Sequence, residues 1–252
     1  MILRSLTENV RTQNWFAVGL DFFIVVVGVF IGIQLGNWND ERSDRRDEAR
    51  ILRQLRDDVI AAKGLAERTA EARITVLDEA VNALDVLFDR SDREELSESE
   101  CRALMATRAI VLPFTELSSF DELVSSGRLD VLRDDELRAS LIQLKQVVAA
   151  ADRASRQISQ GQTALAVDFP EFVQTTGVVA EGTNGRREVG TIATCDTAGM
   201  KGSQAFLNTT ANAVDRYDAF VRDVVTPWRA AINRVHTRLD ELLEPEDTKQ
   251  QP

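Results

Sequence analysis

The run from Phe16 to Gly36 decides most of what this chain can become. Between Arg11 and Asp40 the one charged residue is Asp21, and the run itself is mostly Phe, Val, Ile, Leu and Gly. As a helix rising about 1.5 Å per residue it spans roughly 31 Å, the thickness of a bilayer's hydrocarbon. Trp15 and Trp38 bracket it, where indole rings sit at the two headgroup levels, with Asn14, Asn37 and Asn39 beside them. A secretory signal would end in a small-x-small cleavage site, but the chain continues as Gln34-Leu35-Gly36-Asn37-Trp38, so the pattern predicts an uncleaved transmembrane anchor. The core helix of a soluble protein would carry one polar face, which this run lacks.

Gly28, Gly32 and Gly36 recur every four residues and form one small-residue stripe that lets a second backbone approach closely. Asp21 lies about two turns before Gly28 and on about the same face, where a partner helix would shelter it from lipid. The stripe predicts a homo-oligomer or a complex with another membrane protein.

The stretches Gly19-Leu20-Asp21-Phe22, Ile24 to Gln34 and Asn37-Trp38-Asn39-Asp40-Glu41-Arg42 carry a Gly-acid pair, an aliphatic run and an Asn-Trp-Asn-acid exit. A second block follows at Ser119-Phe120-Asp121-Glu122-Leu123-Val124-Ser125-Ser126-Gly127-Arg128-Leu129, with Glu136-Leu137-Arg138 after it. In these blocks and their order, about half the chain, the sequence resembles an uncharacterised bacterial family of small single-pass membrane proteins. The resemblance implies a bacterial membrane setting and no chemistry. The leader departs from the family's strongly basic one, carrying only Arg4 and Arg11.

Charge and composition narrow the function. Thirty Lys and Arg against 41 Asp and Glu give a net charge of −11, which disfavours nucleic acid as a partner. With one His, one Tyr and two Cys, the side chains that most often carry acid-base, nucleophilic or metal chemistry are scarce, so the expectation is no enzyme, no cofactor and no metal. No phosphate loop, nucleophile elbow or dinucleotide fingerprint occurs in the sequence. His236 reads as a helix-surface residue, and Asp57-Asp58 and Asp134-Asp135 as solvated faces.

Beyond Trp38 the chain is charged and helix-prone. Leu52, Leu55, Val59, Ala62 and Ala66, then Ala70, Ile74, Leu77, Val81, Leu84 and Phe88, trace one apolar seam with a stutter between Ala66 and Ala70. Ser97 with Glu100 reads as a capping box opening a short helix that Pro113 ends; Ser119 with Glu122 repeats the signature, and Gly127 supplies a stop. A second long helix is expected from Leu137 through Leu165. A third is expected from Ser203 to Leu242, kinked by Pro227. These stripes hide only against one another, or for the first helix in an intermolecular coiled coil. The expected architecture is all-α. It comprises a short segment over 1–15, a transmembrane helix over 16–36, an elongated antiparallel helical bundle over 37–244 and a disordered tail over 245–252. Within the bundle the Gly/Thr-rich crossover over about 171–202 is read as an irregular loop, with a small hairpin around Val189 to Thr194 as the other option.

Cys101 and Cys195 either pair in a disulfide, which implies an oxidising compartment, or are unrelated thiols. Arg42, Arg45, Arg46, Arg50, Arg53 and Arg56 outnumber Arg4 and Arg11, and by the positive-inside count the large domain is cytoplasmic. A disulfide and the basic leaders of the look-alikes argue the opposite, and the expectation is a bacterial inner-membrane protein with a periplasmic domain. With only a short stretch before the anchor, any signal is expected to pass through another membrane protein. The expected function is a membrane-anchored interaction or scaffold module that self-associates through its anchor. The alternative is a sensor-like bundle whose inter-helix crevice binds a small ligand, which a buried apolar pocket with converging polar groups would favour.

Overall fold

The computed structural model describes residues 15–113, 117–181 and 186–243, without the side chains of residues 15–19, Asp21, Ala180 and Glu188. The leader before Trp15 and the tail over 245–252 lie outside the described residues. The chain divides into two compact units, Met1–Ile51 and Leu52–Pro252. It is 76% helical and 7% strand, so the class is all-α.

Helix α1 runs over Trp15–Leu87, 73 residues without a break. In the first unit it buries none of the described side chains of its apolar run: Phe22, Phe23, Val29, Phe30 and Ile33 are all more than half exposed. After Trp38 the surface becomes charged, and Arg45 pairs with Glu41 and Arg50 with Asp47 at helical spacing.

In the second unit α1 buries Leu55, Val59, Ala62, Ala66 and Ala70, along the expected seam. Beyond Ala70 the seam differs from the expectation. Val81 is exposed, and Ala80, Ala83 and Leu87 are buried one position earlier than Val81, Leu84 and Phe88. Here the helix is covered from more than one side, by Leu104, Leu165, Val173, Met200 and Phe206, so Leu77, Leu84 and Phe88 are half-buried flanks of a wider stripe. The helix ends in a Schellman motif with Asp89 in the left-handed region at φ 54°. Its amide donates to Val86, and that of Arg90 to Asp85 at 2.8 Å.

Helix α2 (Glu98–Ala106) opens with the expected capping box on Ser97 and Glu100. It stops at Ala106, well before Pro113, and the non-helical residues that follow bury Ile110 and Leu112 and expose Val111, a period-two alternation that a helix could not give. Helix α3 (Ser118–Ser125) lacks the capping box expected of Ser119 and Glu122. Its N-cap is Leu117, and Asp58 of α1 caps it from outside, accepting from the Ser119 amide at 2.9 Å and hydroxyl at 2.7 Å. Gly127, at φ 70°, ends α3 with Schellman bonds from Gly127 to Val124 and from Arg128 to Leu123.

A 3₁₀ turn over Leu129–Val131 leads into α4 (Asp135–Ser159), which is capped by Asp134. This helix is shorter than the expected run to Leu165. It ends just before Gly161, where a Cβ would lie 1.5 Å from the Arg216 guanidinium; the bare glycine leaves room for that side chain to cross. Leu165 is buried nonetheless, on the separate turn α5 (Leu165–Asp168).

Within the segment expected to be an irregular loop over 171–202, the described residues form two strands and a short helix. Strands β1 (Val173–Glu181) and β2 (Arg187–Cys195) pair antiparallel from Val173 opposite Cys195 to Glu181 opposite Arg187, and α6 (Thr197–Gly202) follows, with Asp196 accepting from the Gly199 amide at 3.0 Å. Val and Thr favour the pleated conformation even on a ribbon largely exposed beyond its base, which is why the hairpin option prevails over an irregular crossover. Helix α7 (Gln204–Phe220) starts on the Ser203 cap. It passes through a π turn at Val221–Val225 into α8 (Thr226–Leu243). The third long helix is therefore interrupted where Pro227 removes a backbone donor: the Thr226 amide reaches back five residues to Val221, whose carbonyl also accepts from the Thr226 hydroxyl at 3.0 Å.

Candidate functional site

The small-residue stripe of α1 stands open. Around Gly28, Gly32 and Gly36 no atom lies within 4 Å of where a Cβ would be, so each could take a neighbouring backbone at close range. An 18-residue window of this part of α1 has a mean hydropathy of 1.7 and is wholly unburied, making it the one helix among the described residues long and apolar enough to cross a membrane. Trp38 is exposed at the end of the run, with the Arg42 guanidinium 6.0 Å from its ring. The side chains of Trp15 and Asp21, the expected first interface anchor and acidic end of the stripe, lie outside the described residues.

In the second unit, Cys101 of α2 and Cys195 at the end of β2 are joined by a disulfide, with Cα atoms 5.9 Å apart. The bond is placed by two local features. The capping box starts α2 so that Cys101 falls on its buried face, and the hairpin register returns Cys195 opposite the buried Val173. Beneath it Phe206 meets Phe169 and Phe172 edge-on, at centroid distances of 5.3 and 5.7 Å. The hairpin base is thus fixed covalently and by aromatic packing.

Glu100 serves the same corner. It is buried, takes the Ser97 amide at 2.8 Å and accepts two bonds from the Arg93 guanidinium. Arg93 first, and the Ser97 donors after it, hold the Glu100 carboxyl below the usual carboxylate range against the opposing effect of burial. At the N-terminus of α4, Asp134 accepts the Leu137 amide at 2.7 Å and a fork from Arg238 at 3.0 and 2.6 Å, and Arg238 foremost keeps its carboxyl low. Asp58 and Asp134 are therefore structural caps rather than solvated faces. His236 is half-buried on α8, with Nδ1 3.1 Å from Asp240.

No protein-family model, no curated protein and no solved structure matches this chain. Among the described residues no group of three or more His, Cys, Asp or Glu side chains stands ready to hold a metal ion. Glu100 and Asp134, whose carboxyls are held low, are engaged in capping and in arginine forks.

Sequence reasoning missed Phe206 and Phe220, both fully buried, and the outside cap from Asp58. Phe206 had a readable signal in its place three residues after the Ser203 cap. Asp58 had none, because its partner lies 61 positions away.

Proposed function

We propose that this protein is a non-enzymatic, membrane-anchored helical interaction module of a bacterial inner membrane, self-associating through the stripe of Gly28, Gly32 and Gly36, with its bundle on the periplasmic side. The observation that carries the reading is the wholly unburied apolar stretch of α1 with three open glycines on one face. In water that much bare Phe, Val and Ile is unfavourable, and both lipid and a second helix relieve the cost. The Cys101–Cys195 disulfide supports an oxidising compartment for the bundle, since cytosolic thiols are kept reduced.

The test is an in-membrane two-hybrid or crosslinking measurement on the full chain. Gly28→Ile with Gly32→Ile puts branched side chains into the close approach and is expected to reduce the dimer signal at least tenfold. The control pair Val26→Ile and Phe30→Leu, on the opposite face, is expected to leave it unchanged. A signal insensitive to the glycine pair overturns self-association through this face.

A further inference from the structure

The second unit holds a cavity of about 220 Å³, and its contents do not depend on whether the anchor self-associates. Its apolar wall comes from four helices: Ala62 of α1, Phe120 of α3, Leu144 and Val148 of α4, and Trp228 and Ile232 of α8. All but Val148, which is half-buried, are buried. Apolar cavities of about 150 Å³ already take up benzene, so this one has room for a single ring or a branched aliphatic group.

Two charged residues also belong to the lining, Asp121 and Lys145. The Lys145 ammonium donates to Asp121 Oδ1 at 2.7 Å and stands 5.8 Å from the centre of the Phe120 ring. Both side chains are about half exposed, so the pair stands at the mouth, in water, rather than in the wall. An exposed ion pair contributes little net stability, and opening it costs correspondingly little. Opposite charges side by side above an apolar hole complement a zwitterion. A zwitterion there would set its ammonium against Asp121 and its carboxylate against Lys145, with its side chain directed at the apolar wall. A ligand with one charge satisfies one partner and is repelled by the other.

We propose that this cavity binds a free α-amino acid with a medium-sized apolar side chain. The α8 wall is also where a helix would yield most easily on entry. Trp228 lies three residues past the end of the π turn, where α-helical hydrogen bonding is interrupted.

The experiment uses the full chain in lipid nanodiscs, labelled with 5-fluorotryptophan and followed by ¹⁹F NMR, with the Trp228 signal assigned through Trp228→Phe. L-phenylalanine and L-leucine are titrated against 3-phenylpropionate and 2-phenylethylamine, which carry one charge each. The expected result is a saturable shift of the Trp228 signal alone. At least one of the two amino acids should half-saturate at a tenfold lower concentration than either singly charged analogue. Ala62→Leu, which fills the hole with apolar atoms, should abolish the shift, and Val148→Phe at the more accessible edge does the same should Ala62→Leu fail to fold. Lys145→Gln should weaken amino acid binding at least tenfold. No saturable Trp228 shift with either amino acid, equal binding of an analogue, or undiminished binding in a folded filled variant overturns the proposal.

Discussion

Removing the Cys101–Cys195 bond is the perturbation whose size follows most directly from the structure. The bond closes a loop of 94 positions. In the chain-entropy model, cross-linking removes about 2.1 + 1.5R ln n cal/mol/K from the unfolded state, which for this loop is close to 16 cal/mol/K, or about 4.7 kcal/mol at 25 °C. The native state has little reason to strain in return, because Cys101 lies on the buried face of α2 and Cys195 at the end of a strand whose register is fixed by nine backbone pairs. The assay is urea unfolding of the full chain in mild detergent by far-ultraviolet circular dichroism, comparing wild type with the Cys101→Ala, Cys195→Ala double variant. With a urea slope of about 2 to 3 kcal/mol/M, the midpoint should fall by about 2 M at an unchanged slope. Hydrogen exchange should rise first in β1 and β2, whose base loses its covalent tie. A midpoint shift below about 0.5 M, in wild-type protein shown by mass to be oxidised, would refute the reasoning: the hairpin would then be no part of the cooperative unit.

Other substitutions test single features. Asp134→Ala removes the cap of α4, a loss of about 1 kcal/mol on that account, with the unpaired Arg238 fork adding to it; a Tm drop under 2 °C would contradict the assignment. Asp89→Gly relieves a left-handed residue at φ 54° and should raise the Tm by about 2 to 4 °C, since the exposed Lys201 contact it gives up contributes little. Glu100 and Asp134 both have folded pKa values below their ordinary ones. Their contribution is therefore complete above the unfolded carboxylate range, near pH 4 to 4.5, and is lost as the pH falls through their lower folded values. The Tm should accordingly fall steeply below about pH 4, and Glu100→Gln should flatten that limb; an unchanged acid limb in the variant would count against Glu100.

What the sequence discloses about this fold is what depends on neighbours along the chain. The capping box at Ser97, the Gly127 stop, the start of a helix at Ser203 and the seam from Leu55 to Ala70 all rest on contacts within a few residues, and each is present. The failures share a cause in partners far off in sequence. Asp58 replaces the box expected at Ser119, the Arg216 guanidinium crosses the chain at Gly161, and the core around Phe206 and Met200 widens the α1 stripe so that Ala80 rather than Val81 is buried. The hairpin was half legible: its Val and Thr content signalled strand, but alternation of burial, the usual proof, is weak because most of the ribbon is exposed. The spacing of Gly28, Gly32 and Gly36 alone places them on one side of α1, and all three are open. The cavity could not, since its wall draws on helices that meet only after folding.

The measurement that bears most directly on the account is the side of the membrane on which the bundle lies. Alkaline phosphatase and β-galactosidase are fused in turn to the C-terminal end of the full chain and assayed in intact bacterial cells. The account predicts an active phosphatase, a silent galactosidase and membrane-bound fusions that resist alkaline carbonate extraction. An active galactosidase with a silent phosphatase, or fusions washed off by carbonate, would contradict it.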